Sequence, residues 1–258
     1  MRKVYAILVV AMFVCLGCEW RMRSELKPSD DSFVLRYDRM EAFFLTSGDF
    51  SALQQMQMNY PMQTRRLIED VLQLGKVDDA HINTRFYSFF QDTTLQDLIA
   101  EVDRQYADLD GLDDDLYSAF VRLSEMLPRA VVPIVYTQIG SLDQSIVVGD
   151  SMVGISLDKY LGADYPYYLR YGYTERQRST MIRDYIVPDC LAFYLLSLYP
   201  ASSDSLRLYH MGCVQHVVNT VLERSVFQND FVGRADSIMQ LSDGMTYDEL
   251  LLSSGVLN

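Results

Sequence analysis

Four aspartates in the middle of the chain, Asp158, Asp164, Asp184 and Asp189, have the side-chain chemistry for bond breaking. Two carboxylates that meet in a cleft can divide a hydrolysis, one protonating the leaving group while the other activates water or attacks. Spacing in sequence neither joins nor separates them, so a periplasmic carboxylate-dependent hydrolase, peptidase or glycan-directed, stays open. Metal chemistry has less material. The histidines are His81, His210 and His216, and no His-Glu-x-x-His places two imidazoles one helical turn apart beside a general base. His210, Cys213 and His216 spread over about 120° of one helix, too broad an arc to converge without a second element. The acidic run Asp108, Asp110, Asp113, Asp114 and Asp115 surrounds Gly111. With that glycine at the sixth place of a calcium loop, Tyr106 and Tyr117 fall where acids are required, so helix capping is the expected role. No glycine-rich phosphate loop and no Gly-x-Ser-x-Gly occurs. These residues imply no metal, no cofactor and no assigned catalytic residue.

A different chemistry stands at the amino terminus. Arg2 and Lys3 precede an apolar stretch, Val4 to Leu16. It is too short to cross about 30 Å of hydrocarbon and has the form of a secretory signal. It ends in Cys15-Leu16-Gly17-Cys18, which resembles the lipobox of bacterial lipoproteins. The resemblance implies cleavage after residue 17, a diacylglyceryl thioether on Cys18 and an acylated new terminus, palmitate being the typical chain. Several acyl chains on one residue exceed what stable anchoring needs. Residues 1–17 then form the signal, and 18–32, polar and ending in Pro28, Ser29, Asp30, Asp31 and Ser32, form a tether. Loss of Arg2 and Lys3 takes the net charge from -13 to about -15. That charge repels nucleic acid and disfavours lying flat on anionic lipid, leaving the membrane to be reached through Cys18. Cys190 and Cys213 remain in apolar helical surroundings and are expected as buried free thiols, although an oxidising envelope would permit a bridge.

The elements that position these groups follow from periodicity. Leu95, Leu98, Ile99, Val102, Tyr106 and Leu109 recur at three and four after Thr93 and Thr94, with Gln96 and Asp97 placed for a capping box. Leu116, Phe120, Leu123 and Leu127 repeat the pattern up to Pro128, and earlier helices are expected over 38–46, 51–59, 61–75 and 82–92. From Ala130 the residues turn β-branched. Three strands of a small antiparallel sheet are expected, the first at an edge or carrying a bulge because of Pro133 and the others a hairpin about Gly149-Asp150-Ser151. Thr174 with Gln177, and Thr246 with Glu249, form capping boxes. Pro188 kinks or restarts a helix, 190–199 is a buried core helix, and 206–227 is a long amphipathic one. The expectation is one mostly helical α+β domain over 33–258. Seven of the 18 tyrosines lie between Tyr160 and Tyr185. They either cover a core beneath an irregular loop or, with Asp164, present Tyr160, Tyr165, Tyr167, Tyr168 and Tyr171 to a partner.

The segment Gly154-Ile155-Ser156-Leu157-Asp158-Lys159-Tyr160-Leu161-Gly162-Ala163-Asp164-Tyr165-Pro166-Tyr167-Tyr168, followed by Tyr185-Ile186-Val187-Pro188-Asp189, resembles the signature of the GldB-type gliding-motility lipoproteins of Bacteroidetes. The resemblance implies a lipid-anchored envelope protein linked to gliding and to type IX secretion, with envelope proteins as partners. It also implies kinship with predicted zinc peptidases of zincin-like architecture, whose metal-binding helix would fall near Ile182 to Leu195. That stretch contains no histidine, so a catalytically inactive relative is expected. Cys18-Glu19-Trp20-Arg21 lacks the acidic cluster associated with surface export in such bacteria, which implies a periplasm-facing body.

Overall fold

The computed structural model describes residues 32–47, 50–149, 151–201 and 203–253. The signal 1–17, Cys18, the tether before Ser32, Asp150 of the hairpin turn and the last five residues lie outside the described residues. Among the described residues no helix is long and apolar enough to cross a membrane.

The first element is a strand of only two residues, β1 (Val34–Leu35). A distant carboxylate holds it: Asp113 accepts the backbone N–H of Phe33 (3.0 Å) and Val34 (2.8 Å) and the hydroxyl of Ser32 (2.9 Å). Part of the acidic run expected to serve only as a helix start is thus a clamp on the incoming chain. Helices α1 (Asp38–Ser47), α2 (Phe50–Asn59) and α3 (Pro61–Arg66) follow, α3 continuing into a π turn over Leu67–Val71. In α4 (Ile82–Phe90), Phe86 and Phe90 pack at 4.5 Å and Phe44 of α1 meets Phe86 at 4.8 Å. α5 (Thr93–Gln105) buries Leu95, Leu98, Ile99 and Val102, as their spacing predicts. Its cap lies earlier than expected, at Asp92, whose carboxylate accepts the N–H groups of Thr94 and Leu95. Gly111, at a φ of 76° that side chains disfavour, leads into α6 (Leu112–Met126).

The sheet has four strands and is mixed, which corrects the antiparallel expectation. Its order is β1, β2 (Ile134–Gln138), β4 (Met152–Ser156), β3 (Ile146–Gly149). β1, β2 and β4 run parallel, and the expected hairpin supplies the antiparallel edge strand β3. β2 is therefore interior. Pro133 precedes the strand, so its missing N–H removes no ladder bond, and the ladder begins at Ile134, which donates to Ser151 O at 3.0 Å.

Past the sheet come the short helices α7 (Pro166–Arg170) and α8 (Glu175–Arg178), the latter closed by the expected Thr174–Gln177 box. α9 (Ile186–Leu198) is the core helix, with Pro188 in its first turn, where a missing N–H costs little. It packs on β3 and β4 and against α6 and α10 (Arg207–Val221). α10 stops well before residue 227 because the Asn219 amide oxygen takes the N–H of Val226 (2.9 Å) and Phe227 (3.0 Å), folding the chain back. α11 (Asp230–Leu241) lies on α10, and α12 (Tyr247–Ser253) carries the expected Thr246–Glu249 cap. Cys190 and Cys213 are buried free thiols. The result is a mostly helical α+β body, as expected.

Tyr136 of β2 is buried against Gly154 of β4, where an added Cβ would lie 2.5 Å from the tyrosine ring. Neither strand can yield inside the sheet. Gly154→Ala is expected to lower unfolding free energy by about 1–3 kcal/mol, read as a lower denaturant midpoint at unchanged m-value.

Candidate functional site

β2 and β4 end side by side, with Gln138 opposite Ser156. In open sheets the end of parallel strands is where ligands gather. Here carboxylates of the chain itself fill it. A single 3-10 turn after β4, Leu157–Lys159, carries Asp158 back over the end of β2. Its two oxygens accept the N–H of Gly140 (2.7 Å) and of Leu142 (2.6 Å). The loop between them is costly: Ser141 and Leu142 sit at φ 55° and 63°, the left-handed region that side chains disfavour. The Leu142 carbonyl, turned the other way, accepts from Lys159 Nζ (3.2 Å) and from the Tyr173 hydroxyl (2.5 Å).

Two more carboxylates arrive from α1. Glu41 accepts the N–H of Ile139 at 3.0 and 3.2 Å. Asp38 pairs with Arg36 through two bonds of 2.9 and 2.7 Å and takes the Thr137 hydroxyl. All three acids are buried. Burial pushes the Glu41 carboxyl well up, the Ile139 donor opposes it, and the nearby Asp38 and Asp158 add to the rise. Burial likewise raises Asp158 against the donors of Gly140 and Leu142. Glu41 and Asp38 were not singled out from sequence. The available signal is that Tyr37, Met40, Glu41 and Phe44 share one helical stripe, so an acid stands where the core expects an apolar residue.

The remaining sequence candidates separate. Asp189 lies in the first turn of α9, where the Tyr160 hydroxyl donates to it at 2.8 Å. Burial pushes this carboxyl up to about 6, against that phenol donor. Asp164 is exposed beside Arg178 at 3.4 Å, and Asp184 is exposed. Asp158, Asp164 and Asp189 thus each keep a different hydrogen-bond partner. His210 is buried with Nε2 2.6 Å from Tyr199 O, and His216 faces the Tyr247 ring at 6.3 Å. Burial lowers both imidazoles and raises the Cys190 and Cys213 thiols, which disfavours thiolate chemistry. Among the described residues no group of three or more His, Cys, Asp or Glu side chains gathers as a metal site.

The tyrosine cluster runs from the interior to the surface, with Tyr160 and Tyr168 buried, Tyr165, Tyr167, Tyr173 and Tyr185 half-buried and Tyr171 exposed. Tyr160 and Tyr168 are 2% and 0% exposed, which removes both from the expected contact surface. The Tyr168 hydroxyl donates to Asp158 O (2.6 Å) and accepts from Leu161 N–H (2.9 Å), and Tyr160 O accepts from Tyr106 (2.6 Å). Tyr165 stacks on Tyr167 and Tyr168, and the Tyr167 hydroxyl bonds Asp97. Tyr171 and Asp164 face solvent.

Two outcomes follow. Asp158→Asn replaces one acceptor oxygen by a donor facing a buried N–H and is expected to cost about 3 kcal/mol in denaturant unfolding. Asp189, raised in the folded state, contributes stability that is complete below pH 4 and lost as pH rises through 6. Histidine titration overlaps this window, so the quantity to measure is the difference between the native chain and Asp189→Asn. It should shrink by on the order of 2 kcal/mol between pH 4 and pH 7, after allowing for water at the partly exposed carboxyl.

A family model described as gliding motility protein GldB matches residues 23–213, from before β1 to within α10. No curated protein and no solved structure matches the chain.

Proposed function

Because this chain belongs to the gliding motility protein GldB family, we propose that it is a lipid-anchored, non-catalytic binding component of an envelope complex serving gliding and type IX secretion. One observation carries the non-catalytic part: the two central acids with interior hydrogen-bond partners, one buried and one half-buried, are committed to holding the chain. Asp158 closes the 140–142 loop and Asp189 receives Tyr160. The helix that would bear zinc ligands in a peptidase, α9, carries Asp189 and Cys190 and no imidazole. The anchor is supported by the Cys15-Leu16-Gly17-Cys18 sequence and by the family name, which marks a lipoprotein of the cell envelope. The body faces the periplasm in this reading. Tyr171 and Asp164, with the exposed parts of Tyr165 and Tyr167, form the surface offered to envelope partners.

In a strain whose native copy is replaced, Cys18→Ser is expected to prevent acylation and abolish the role in motility, with the precursor keeping residues 1–17 by mass spectrometry. Asp184→Asn and Asp189→Asn are expected to leave motility intact. Loss of motility in both, with normal folding and anchoring, would favour the hydrolase instead.

A further inference from the structure

β1 sets where the tether leaves the body. It pairs with β2 in parallel, Val34 opposite Val135, so Phe33 stands level with Ile134. The preceding chain therefore departs from the end of the sheet at which β2 begins. Exposed apolar side chains stand at that end: Val131, Val132 and Ile134 are 56%, 41% and 58% exposed, and Tyr117, packed on Phe33, is 53% exposed.

Contacts link these side chains to the exit. Tyr117 packs edge-on against Phe33 at 5.4 Å, Phe33 meets Phe120 at 6.3 Å, and Phe120 meets Tyr194 at 5.5 Å. The Tyr194 hydroxyl accepts from Val131 N–H (3.3 Å) and donates to Val131 O (2.7 Å). With both backbone groups of Val131 occupied and Ile134 N–H bonded to Ser151 O, the outward side chains sit on a pinned backbone. Their exposure belongs to the fold.

We propose, resting on the reading that Cys18 is acylated, that this face is a lipid-contact surface. Val131, Val132 and Ile134 would enter the boundary between headgroups and acyl chains, with Tyr117 at headgroup level. The tether selects this occupant. Fourteen residues separate Cys18 from Phe33, at most about 50 Å of chain, so this is the end of the body that an anchor at Cys18 holds to the bilayer. Asp114 and Asp115 are exposed close to Tyr117 and oppose anionic headgroups, so the contact suits zwitterionic lipid.

The test uses the full chain made in a host that acylates lipoproteins, with one fluorophore on Val132→Cys or, beyond the far end of β4, on Tyr171→Cys. Cys190 and Cys213 are buried, which keeps labelling selective. The protein is reconstituted in phosphatidylcholine vesicles containing shallow spin-labelled lipid. Flotation reports the anchor and lipid quenching reports the contact. Position 132 is expected to be quenched at least twofold more than position 171 and to be shielded from iodide. Ile134→Glu, or phosphatidylglycerol added at low salt, should narrow that gap. Flotation with equal quenching at both positions overturns the contact and leaves the anchor standing. Shielding at 132 without lipid quenching also overturns it and assigns the face to protein. Absence of flotation removes the anchor, and this inference with it.

Discussion

The burial of three carboxyl groups is the constraint around which this molecule is arranged. Asp38, Glu41 and Asp158 lie inside the protein at the shared end of β2 and β4. An ionised carboxyl taken from water must be met by donors or take up a proton. The segment that leaves β2 supplies the N–H of Ile139 for Glu41 and those of Gly140 and Leu142 for Asp158, while Thr137 within β2 and Arg36 after β1 donate to Asp38. The exchange runs both ways. Backbone in a left-handed conformation at Ser141 and Leu142 is held by the acid, and the acid is tolerated because that backbone turns its N–H groups inward. Tyr168 and Tyr173 extend the same network, through Asp158 O and Leu142 O, into the tyrosine-rich segment.

That arrangement explains which features could be read from sequence. Local patterns were legible: the α5 stripe Leu95, Leu98, Ile99 and Val102 is buried, the 174–177 and 246–249 caps form, and the β3–β4 hairpin turns where the alternation breaks. What escaped depends on partners far along the chain. β1 is two residues long and rests on Asp113, some 80 positions away, so it carries no periodic signal. That hidden strand is what makes β2 interior, and without it Pro133 pointed to an edge, while the parallel pairing of β2 with β4 joins strands separated by β3 in the chain. The four central aspartates were visible as candidates, but their separation into a loop clasp, a phenol acceptor and surface groups is a property of the fold. Glu41 was legible only as an acid in an apolar stripe.

The family connects these observations to gliding motility, and the interior chemistry bears on how such a protein works. Acids engaged with backbone donors resist substrate access and hold one conformation, which suits a rigid element presented to neighbours. The body is acidic and spans no membrane with a described helix, so an attachment at Cys18 would set both its place and its orientation. With such an attachment, a pull on the chain before β1 would be received by the Asp113 clamp and by β2.

Association as the working principle is tested most directly by isolating the intact protein from its own envelope under mild solubilisation, then measuring particle mass and composition. A particle heavier than one chain, with one or more envelope proteins in fixed ratio to it, is expected. A monodisperse single chain that cleaves envelope peptide or glycan in the same preparation would contradict it.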